Sequence, residues 1–431
     1  MKRIIYGLYN GVCIPLLWLG YHLAGLFDRK VRIGVKGRKN LFSELKRQVN
    51  KLPENYPRFW IHTSSMGEFE QAKPVISALK KKYNACVVAV TLFSPSAMEN
   101  IKDYREADIL CYLPFDSSRS ARRFVSIIRP DVAIVVRHDI WPNHMIAARR
   151  QNVPTLLINT SIQHPERFTN PFIRMIYSFL FDLFDYVLTV SKESGDAYLT
   201  YRLGNGLTEH VGDTRYDQVI RRAKEAEPIV SPLRTLKGGR KCFVAGSTWP
   251  SDESVIFEAM EKLKQSNILP WVVMVPHEPV KEHIDHIESQ LNQMHIPYAR
   301  ISQKDKLSDH IQVLLVDQIG ILASLYALAD LTFVGGGFGP GIHNVLEPAA
   351  FGKAVLFGPR HKNSYEAGLL KESGTGIAVQ NGDALFKELY ELLLDPDKLK
   401  IIGERSANMV NSNRGATDRI LHRLELILKS K

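Results

Sequence analysis

Short runs of β-branched and apolar residues alternate with helical patterns along most of this chain. Uninterrupted runs of this kind are typical of parallel strands whose two faces are both covered by helices. The sequence therefore predicts an α/β protein. The first series of predicted strands lies at residues 59–61, 87–90, 132–136, 155–158 and 186–190. The second series lies at residues 242–245, 271–275, 313–316, 331–334 and 354–357.

The two series of strands are separated at residues 223–240, where Pro, Gly and charged residues occur together. Such a composition is typical of a linker. With 431 residues, the chain is also too long for one ordinary hydrophobic core. We therefore predict an N-terminal domain at residues 41–222, a linker at 223–240 and a C-terminal domain at 241–431.

The first 40 residues form a separate segment that is both apolar and basic. A mostly apolar stretch from Ile4 to Phe27 follows Lys2 and Arg3, and six further Lys and Arg residues come before residue 40. Its length suits a bilayer core, which needs about 20 residues. Its tyrosines and Trp18 suit a membrane interface, and it lacks the A-x-A cleavage site of a signal peptide. We predict a membrane anchor at residues 1–40, which either spans the membrane or lies on it.

The chain carries a formal net charge of +11. This excess favours anionic partners such as nucleic acid, acidic phospholipid or a phosphorylated substrate. Because the sequence contains no recognised nucleic-acid-binding module, nucleic acid is not an expected partner. The four cysteines include no CxxC pair and are expected to be reduced thiols in a cytosolic compartment.

Several polar motifs directly follow predicted strands, which is where open parallel sheets bind their ligands. The first motif is H-T-S-S-M-G-E at residues 62–68. Gly67 allows the turn to approach a ligand closely, and Glu68 begins a predicted helix that extends to Lys82. Two interpretations of Glu68 stay open. It either complements the helix dipole or removes a proton from an acceptor hydroxyl at the mouth of an interdomain cleft.

The second domain contains two comparable turns. Gly246 and Ser247 follow a strand, and they form either an ordinary N-cap or a phosphate-binding turn. The glycine-rich run at residues 335–341, which includes Gly336 and Gly337, lacks the GxGxxG and GK[ST] patterns of dinucleotide-binding and P-loop proteins. This run either holds a phosphate or only shapes the backbone.

Two further polar side chains of the second domain are candidate ligand contacts. Glu347 can accept hydrogen bonds from ribose hydroxyls. His277 follows a strand and either faces a nucleotide or is an ordinary loop histidine. Because His277 and His283 do not have the HExxH spacing, no metal site is predicted.

Taken together, these segments resemble the Kdo (3-deoxy-D-manno-octulosonic acid) transferases over nearly the whole chain. The resemblance is carried by S-M-G-E at residues 65–68, D-I-W-P-N at 139–143 and H-N-V-L-E-P-A-A-F-G-K at 343–353. The order and spacing of these motifs matter more than any one of them. The resemblance implies a GT-B glycosyltransferase, an α/β protein with two Rossmann-like domains facing a cleft and an N-terminal membrane anchor helix.

The resemblance also implies roles for individual residues. Glu68 is expected to be the catalytic general base, Arg215 to stabilise charge on the leaving phosphate, and Asp139 to act as a supporting acid. No cofactor and no metal are expected. The expected CMP-binding residues are Pro276, His277, Ile319, Gly320, Ile321, Asn344, Val345, Leu346 and Glu347.

Two positions depart from the family pattern. Members usually have E-T-E before W-P-N, whereas this chain has Arg137, His138 and Asp139, so a cation replaces the first acid. The P-R-H pattern of relatives is reduced to Pro-His-Glu at residues 276–278. In this chain His277 takes the place of either the arginine or the histidine of that pattern.

The implied activity is inverting transfer of Kdo from CMP-Kdo to the tetraacyl disaccharide bisphosphate precursor of lipid A, with release of CMP. The implied location is the cytoplasmic face of the inner membrane, with an anionic membrane surface as a partner. One alternative is another GT-B enzyme, such as a nucleotide-sugar epimerase or a different lipid-linked glycosyltransferase. The other is a non-catalytic nucleotide-sugar-binding membrane protein.

Overall fold

The computed structural model describes residues 2–430 and, for Lys2, the backbone alone. Three parts of the predictions lie outside the described part of the chain. They are Met1 and Lys431, which end the predicted domain ranges, and the basic side chain of Lys2. The strands of the first sheet are β1 (Arg58–Thr63), β2 (Val87–Leu92), β3 (Ile109–Tyr112), β4 (Val132–Val136), β5 (Thr155–Thr160), β6 (Tyr186–Thr189) and β7 (Leu207–His210). Those of the second sheet are β8 (Cys242–Thr248), β9 (Trp271–Pro276), β10 (Tyr298–Arg300), β11 (Val313–Leu315), β12 (Leu331–Val334), β13 (Ala354–Phe357) and β14 (Gly376–Ala378).

Helices precede the first strand and connect most of the others. Those up to β7 are α1 (Lys2–Leu8), α2 (Ile14–Phe27), α3 (Arg29–Gly37), α4 (Leu41–Val49), α5 (Met66–Lys82), α6 (Pro95–Ile101), α7 (Ser118–Ile128), α8 (Pro142–Arg150), α9 (Pro171–Phe181) and α10 (Lys192–Thr200). The later helices are α11 (Thr214–Lys224), α12 (Glu227–Lys237), α13 (Pro250–Gln265), α14 (Lys281–Gln293), α15 (Leu322–Leu325), α16 (Leu346–Ala350), α17 (Tyr365–Glu372), α18 (Gly382–Leu394), α19 (Pro396–Ser412) and α20 (Ala416–Lys429).

Both sheets are parallel and have the same type of strand order. The first sheet runs β3-β2-β1-β4-β5-β6-β7, and the second runs β10-β11-β9-β8-β12-β13-β14. In each sheet the first strand of the chain is central, and the later strands lie on both sides of it. The strand order therefore reverses between β1 and β4 and again between β8 and β12. Such switch points are where open α/β sheets leave a crevice for a ligand.

Strand β4 illustrates why these apolar runs form central strands. Ala133 and Val135 pack on one side of the sheet with Ala121 and Phe124 of α7. Val132, Ile134 and Val136 pack on the other side with helix α5. Because both faces are buried, the whole strand is apolar, and the predicted α/β class is confirmed.

All ten predicted strands are present, and four further strands were not predicted. These four, β3, β7, β10 and β14, are the edges of the two sheets and are three or four residues long. An edge strand pairs on one side only and needs no long apolar run to be covered, so it leaves a weak pattern in the sequence.

The chain divides into two compact units, unit 1 at residues 1–218 with 414–431 and unit 2 at residues 219–413. The structure differs from the predicted linker, because α11 and α12 occupy most of residues 223–240. Pro228 lies in the first turn of α12, and Gly238 ends the helix with φ +59°. Proline at a helix start and glycine at a helix end are favourable, so residues that suggested a linker here delimit a helix.

The C-terminal helix α20 belongs to unit 1, although the chain reaches it only after completing unit 2. Ile420, Leu424 and Ile427 are buried in the same cluster as the inward face of α5. Arg423 forms an ion pair of 2.7 Å with Glu209 on β7. The predicted C-terminal domain at residues 241–431 therefore differs from unit 2 at both ends, because unit 2 begins at residue 219 and ends at residue 413.

The N-terminal segment is a helical run in which a π-helical turn at Tyr9–Cys13 separates α1 from α2. It is long and apolar enough to cross a membrane. Its outer face exposes apolar side chains, including Leu16 at 62% and Leu26 at 64% exposure. Its inner face is fastened to unit 1, because the Tyr6 hydroxyl donates to Asn143 and the Tyr9 hydroxyl donates to Asp116, each at 2.7 Å.

Candidate active site

Glu68 lies in the first turn of α5, directly after the central strand β1. Its Oε2 accepts the N–H groups of Ser64 at 2.6 Å and Ser65 at 3.0 Å, and Ser65 Oγ accepts the Glu68 N–H at 3.4 Å. This is a capping box, in which serine and glutamate satisfy each other's backbone donors. Oε1 has no hydrogen-bond partner within residues 2–430. The carboxylate therefore caps the helix with one oxygen and has the other available.

Asp139 follows β4, the strand that pairs with β1 at the switch point. Its Oδ2 lies 3.0 Å from Nε2 of His62 and accepts the indole N–H of Trp141 at 2.8 Å. Burial opposes ionisation of this carboxyl, but the hydrogen bonds from His62 and Trp141 hold its pKa below the ordinary value. Asp139 is therefore an ionised carboxylate that orients two rings beside the Glu68 turn.

Arg215 lies at the start of α11. Its Nε and Nη2 donate to Oδ2 of Asp213 at 2.9 Å and 2.7 Å. The preceding Thr214 hydroxyl donates to the backbone oxygen of Gln71 at 2.7 Å, which places this turn against α5, the helix that begins beside Glu68. The predicted base and the predicted cation thus belong to neighbouring elements of unit 1.

In unit 2, three aromatic rings form a stack at the carboxyl ends of β8, β9 and β12. The ring of His277 lies 4.9 Å from Trp249 and 4.3 Å from His343, with interplanar angles of 24° and 22°. The Trp249 indole N–H donates to Nε2 of His343 at 2.9 Å. Because β8 and β12 flank the switch point of this sheet, the stack lies where a ligand is expected.

The glycine-rich turn after β12 is held by one buried carboxylate, that of Asp252 in α13. Oδ2 accepts the N–H groups of Gly336 at 2.7 Å and Trp249 at 2.9 Å, and Oδ1 accepts the N–H of Phe338 at 3.0 Å. The Gly336 amide is therefore occupied within the protein. The buried N–H of Gly337 has no acceptor within residues 2–430.

Close packing explains why glycine occupies three of the predicted turn positions. A Cβ on Gly246 would lie 2.2 Å from the Tyr326 hydroxyl, and one on Gly337 would lie 2.5 Å from the backbone of Gly358. Gly336 has φ +92°, and a Cβ there would lie 2.1 Å from the oxygen of Gly341. Ser247, at the end of β8, has φ +54°. These residues shape the backbone whether or not a phosphate binds.

The remaining predicted CMP contacts lie on three loops of the same sheet. Pro276 ends β9, Asn344 and Val345 precede α16, and Leu346 begins that helix. Glu347 follows in α16, where its Oε1 forms an ion pair of 2.9 Å with Arg222. The third loop follows β11 and contains Ile319, Gly320 and Ile321. Ile319 is 84% exposed, and Gly320 has φ +96°.

Three residues of this arrangement, Trp249, His343 and Asp252, were not predicted as site residues. Trp249 and His343 directly follow a strand and the glycine-rich turn, a placement that could have identified them. Asp252 had no such signal, because an acidic residue in the first turn of a helix is explained by the helix dipole alone. Within residues 2–430, no three His, Cys, Asp or Glu side chains cluster as metal ligands.

We expect the stability of unit 2 to fall on acidification from pH 6.5 towards pH 4, in part because of His343. Burial and the neighbouring His277 lower the pKa of His343 from 6.5 to about 4. Between pH 6.5 and pH 4 the unfolded state binds a proton at this histidine that the folded state does not bind. The contribution of His343 to the free energy of unfolding is therefore fully present above pH 6.5 and declines below it. The urea midpoint of unit 2, followed by hydrogen exchange, measures this loss.

The variant His343→Gln tests this assignment, because glutamine can still accept the Trp249 N–H and does not titrate. We expect the urea midpoint of this variant to fall less between pH 6.5 and pH 4 than that of the parent protein. His310→Gln is the matched control, since the His310 side chain is 91% exposed. If the urea midpoint of His343→Gln fell as much on acidification as that of the parent protein, the prediction would be contradicted.

The topology of both sheets, with one switch point per sheet, is that of a GT-B α/β protein. The solved structure of the UDP-GlcNAc 2-epimerase from Neisseria meningitidis superposes with a TM-score of 0.60 at 15% identity, covering 85% of this chain and 99% of that one. At that identity the likeness shows the fold alone.

The chain is similar to the Kdo transferases over most of its length, and it is a glycosyltransferase that transfers Kdo. The family model described as 3-deoxy-D-manno-octulosonic-acid transferase matches residues 35–218. The transferase of Haemophilus influenzae is 26% identical over 377 residues, which cover 86% of this chain and 87% of the relative. That of Bordetella pertussis is 26% identical over 439 residues, which cover 99% of both.

Proposed function

We propose that this protein transfers Kdo from CMP-Kdo to the tetraacyl disaccharide bisphosphate precursor of lipid A, with inversion and release of CMP. The observation that carries the proposal is the Glu68 carboxylate at the switch point of the first sheet, whose two oxygens differ in their hydrogen bonding. One oxygen of this carboxylate is held by two backbone donors, and the other is available to a substrate.

In the proposed reaction, an acceptor hydroxyl attacks the anomeric carbon of Kdo in line with the leaving group. Glu68 takes the hydroxyl proton as the new C–O bond forms, and the bond from that carbon to the CMP phosphate oxygen breaks. CMP leaves with both electrons of the broken bond. Arg215 is proposed to stabilise the charge that develops on this phosphate. Asp139 is proposed to support the base from the end of the neighbouring strand, where it orients His62 and Trp141.

Unit 2 is the proposed site of CMP binding. His277, stacked with Trp249 and His343, offers an aromatic surface suited to a nucleobase. The free N–H of Gly337 is a suitable donor to a phosphate oxygen, whereas that of Gly336 is taken by Asp252. The loops at residues 276–277, 319–321 and 344–347 are the proposed remaining contacts.

Incubation of the purified protein with CMP-Kdo and the tetraacyl precursor tests the proposal. We expect the acceptor mass to increase by one or more Kdo residues and free CMP to appear in equal amount. CMP binding without transfer would instead favour the non-catalytic alternative. Preferential binding of UDP would instead favour the nucleotide-sugar epimerase.

We also propose that the N-terminal segment attaches the protein to the cytoplasmic face of the inner membrane by lying along it. Bonds from Tyr6 and Tyr9 fasten the start of the segment to unit 1, and Tyr21, near its end, packs against Phe93 and Phe115 of the same unit. A segment fastened near both ends presents its apolar face sideways, which suits an interfacial helix.

We expect the double variant Leu16→Glu/Leu23→Glu to lose binding to vesicles that contain anionic phospholipid. Both side chains are exposed, at 62% and 49%, so the substitutions charge the outer face without disturbing the docked one. Burying a carboxylate among acyl chains is costly, and the bound fraction in a flotation assay should fall several-fold.

The control for this experiment is Leu394→Glu/Ile401→Glu, which changes charge equally at positions that are 59% and 50% exposed on α18 and α19. It should float like the parent protein. Equal loss in both double variants would attribute the effect to net charge and contradict attachment through the outer face of the segment.

A further inference from the structure

A cavity of about 210 Å³ in unit 1 is lined by four basic or imidazole side chains, Arg137, His138, His164 and Arg167. We refer to it as the cationic cavity. It lies at the carboxyl ends of β4 and β5, on the opposite side of β4 from β1 and the Glu68 turn. Common small-molecule sites have volumes of about 300–1,000 Å³, so this smaller cavity suits a small head group.

The two guanidinium groups of the cationic cavity are not paired with acids. No carboxylate lines the cavity in the described part of the chain, and neither guanidinium has a carboxylate partner within residues 2–430. Loss of solvent around its ring, together with the adjacent Arg137 cation, lowers the pKa of His138. Among the side chains that line the cavity, His164 has an acidic partner, Glu166, at 3.1 Å, and both of these side chains are largely exposed.

The backbone holds Arg137 in a conformation that is unfavourable for a residue with a Cβ. Its φ is +64°, while its N–H donates to the oxygen of Ile158 at 2.9 Å and so continues the pairing of β4 with β5. Left-handed conformations at bulky residues persist only where the surroundings impose them, and they cluster at ligand sites. Here the residue held in this conformation is Arg137, and its guanidinium lines the cavity.

We propose that the cationic cavity binds a phosphomonoester. A phosphomonoester carries close to two negative charges and three acceptor oxygens, which match two guanidinium groups whose planar forks bind such oxygens in pairs. His138 and Gln163 supply further polar contacts, and the buried rings of Phe168 and Phe181 offer apolar contact to an attached sugar. The phosphate belongs either to a lipid head group or to a free phosphate compound.

Titration of the full chain with glucosamine 1-phosphate and with inorganic phosphate tests the binding directly. We expect saturable binding of both probes, weakened about tenfold or more in Arg137→Asn and in Arg167→Gln. Asparagine tolerates the left-handed conformation of residue 137, so the first variant should fold. Arg174→Gln, an equal charge change on α9 outside the cavity, should bind like the parent protein.

Absence of saturable binding by either probe would overturn the proposal, as would equal weakening in Arg174→Gln. A second experiment separates the two sources of phosphate and rests on the proposed function. If the ligand is the lipid head group, Arg137→Asn raises KM for a bisphosphorylated acceptor and leaves KM for one of the two monophosphorylated acceptors unchanged. If the ligand is a free phosphate compound, Arg137→Asn changes the KM of none of these acceptors, although it weakens the binding of the two probes. Because the titration needs no turnover, failure of the proposed function leaves its result intact.

Discussion

Glu68→Gln is expected to lower the rate of Kdo transfer by about 10²–10⁴-fold while the protein stays folded. Glutamine at the third helical position also completes a capping box, so its oxygen can accept the N–H groups of Ser64 and Ser65. It cannot take a proton from an acceptor hydroxyl. The substitution therefore separates the two uses of this carboxylate, which an alanine would remove together. Initial rates of product formation measure the loss.

The stability of Glu68→Gln should decrease by no more than about 1 kcal/mol, because only the charge of the cap is lost. Glu70→Gln is the matched control in the same first turns of α5, where Glu70 binds Lys73 at 2.5 Å. It should retain most of the activity. Normal turnover in Glu68→Gln would limit this carboxylate to its capping role, and equal losses in both variants would indicate a general effect of charge at the helix start.

Asp252→Ala is expected to destabilise unit 2 by about 3–5 kcal/mol, since it leaves three backbone N–H groups without their acceptor. The Asp252 side chain is fully buried, so water cannot replace it without rearrangement. The amides of Gly336 and Phe338 should exchange with solvent much faster, because their carboxylate holds the glycine-rich turn. Hydrogen exchange and urea unfolding measure the two effects.

Asp252→Asn should have an intermediate effect, because the amide keeps one oxygen as an acceptor and loses the charge. Glu261→Gln, on the same helix but only partly buried, is the control and should change stability by less than about 0.5 kcal/mol. A change below about 1 kcal/mol in Asp252→Ala would show that the turn does not depend on this carboxylate.

The central strands were predictable because their signal is local. Residues 132–136 are all apolar since helices cover both faces of β4, and the same reason applies to β8, β9 and β12. The edge strands and the return of α20 to unit 1 were not predictable, because they depend on partners far away in the chain. The predicted linker shows a related limit: Pro228 and Gly238 mark interruptions, but not whether a helix lies between them.

The candidate site divides in the same way. Its motifs follow strands, and their order along the chain was enough to predict the resemblance to the Kdo transferases. The roles of Glu68, Arg215 and the CMP-binding loops stay predictions. The stack of Trp249, His277 and His343 joins side chains that are up to 94 residues apart in sequence, so it is visible only in the folded protein.

The sequence by itself determined the α/β class, the central strands, the turns that follow them and the resemblance to the Kdo transferases, since each depends on residues close together or on their order. Only the tertiary structure decided which atoms of these turns are available. Gly336 loses its amide to Asp252, 84 residues away in sequence, and Arg137 lines a cavity that no acid lines in the described part of the chain. Hydrogen-bond partners are set by distances across the fold, which the order of residues does not specify.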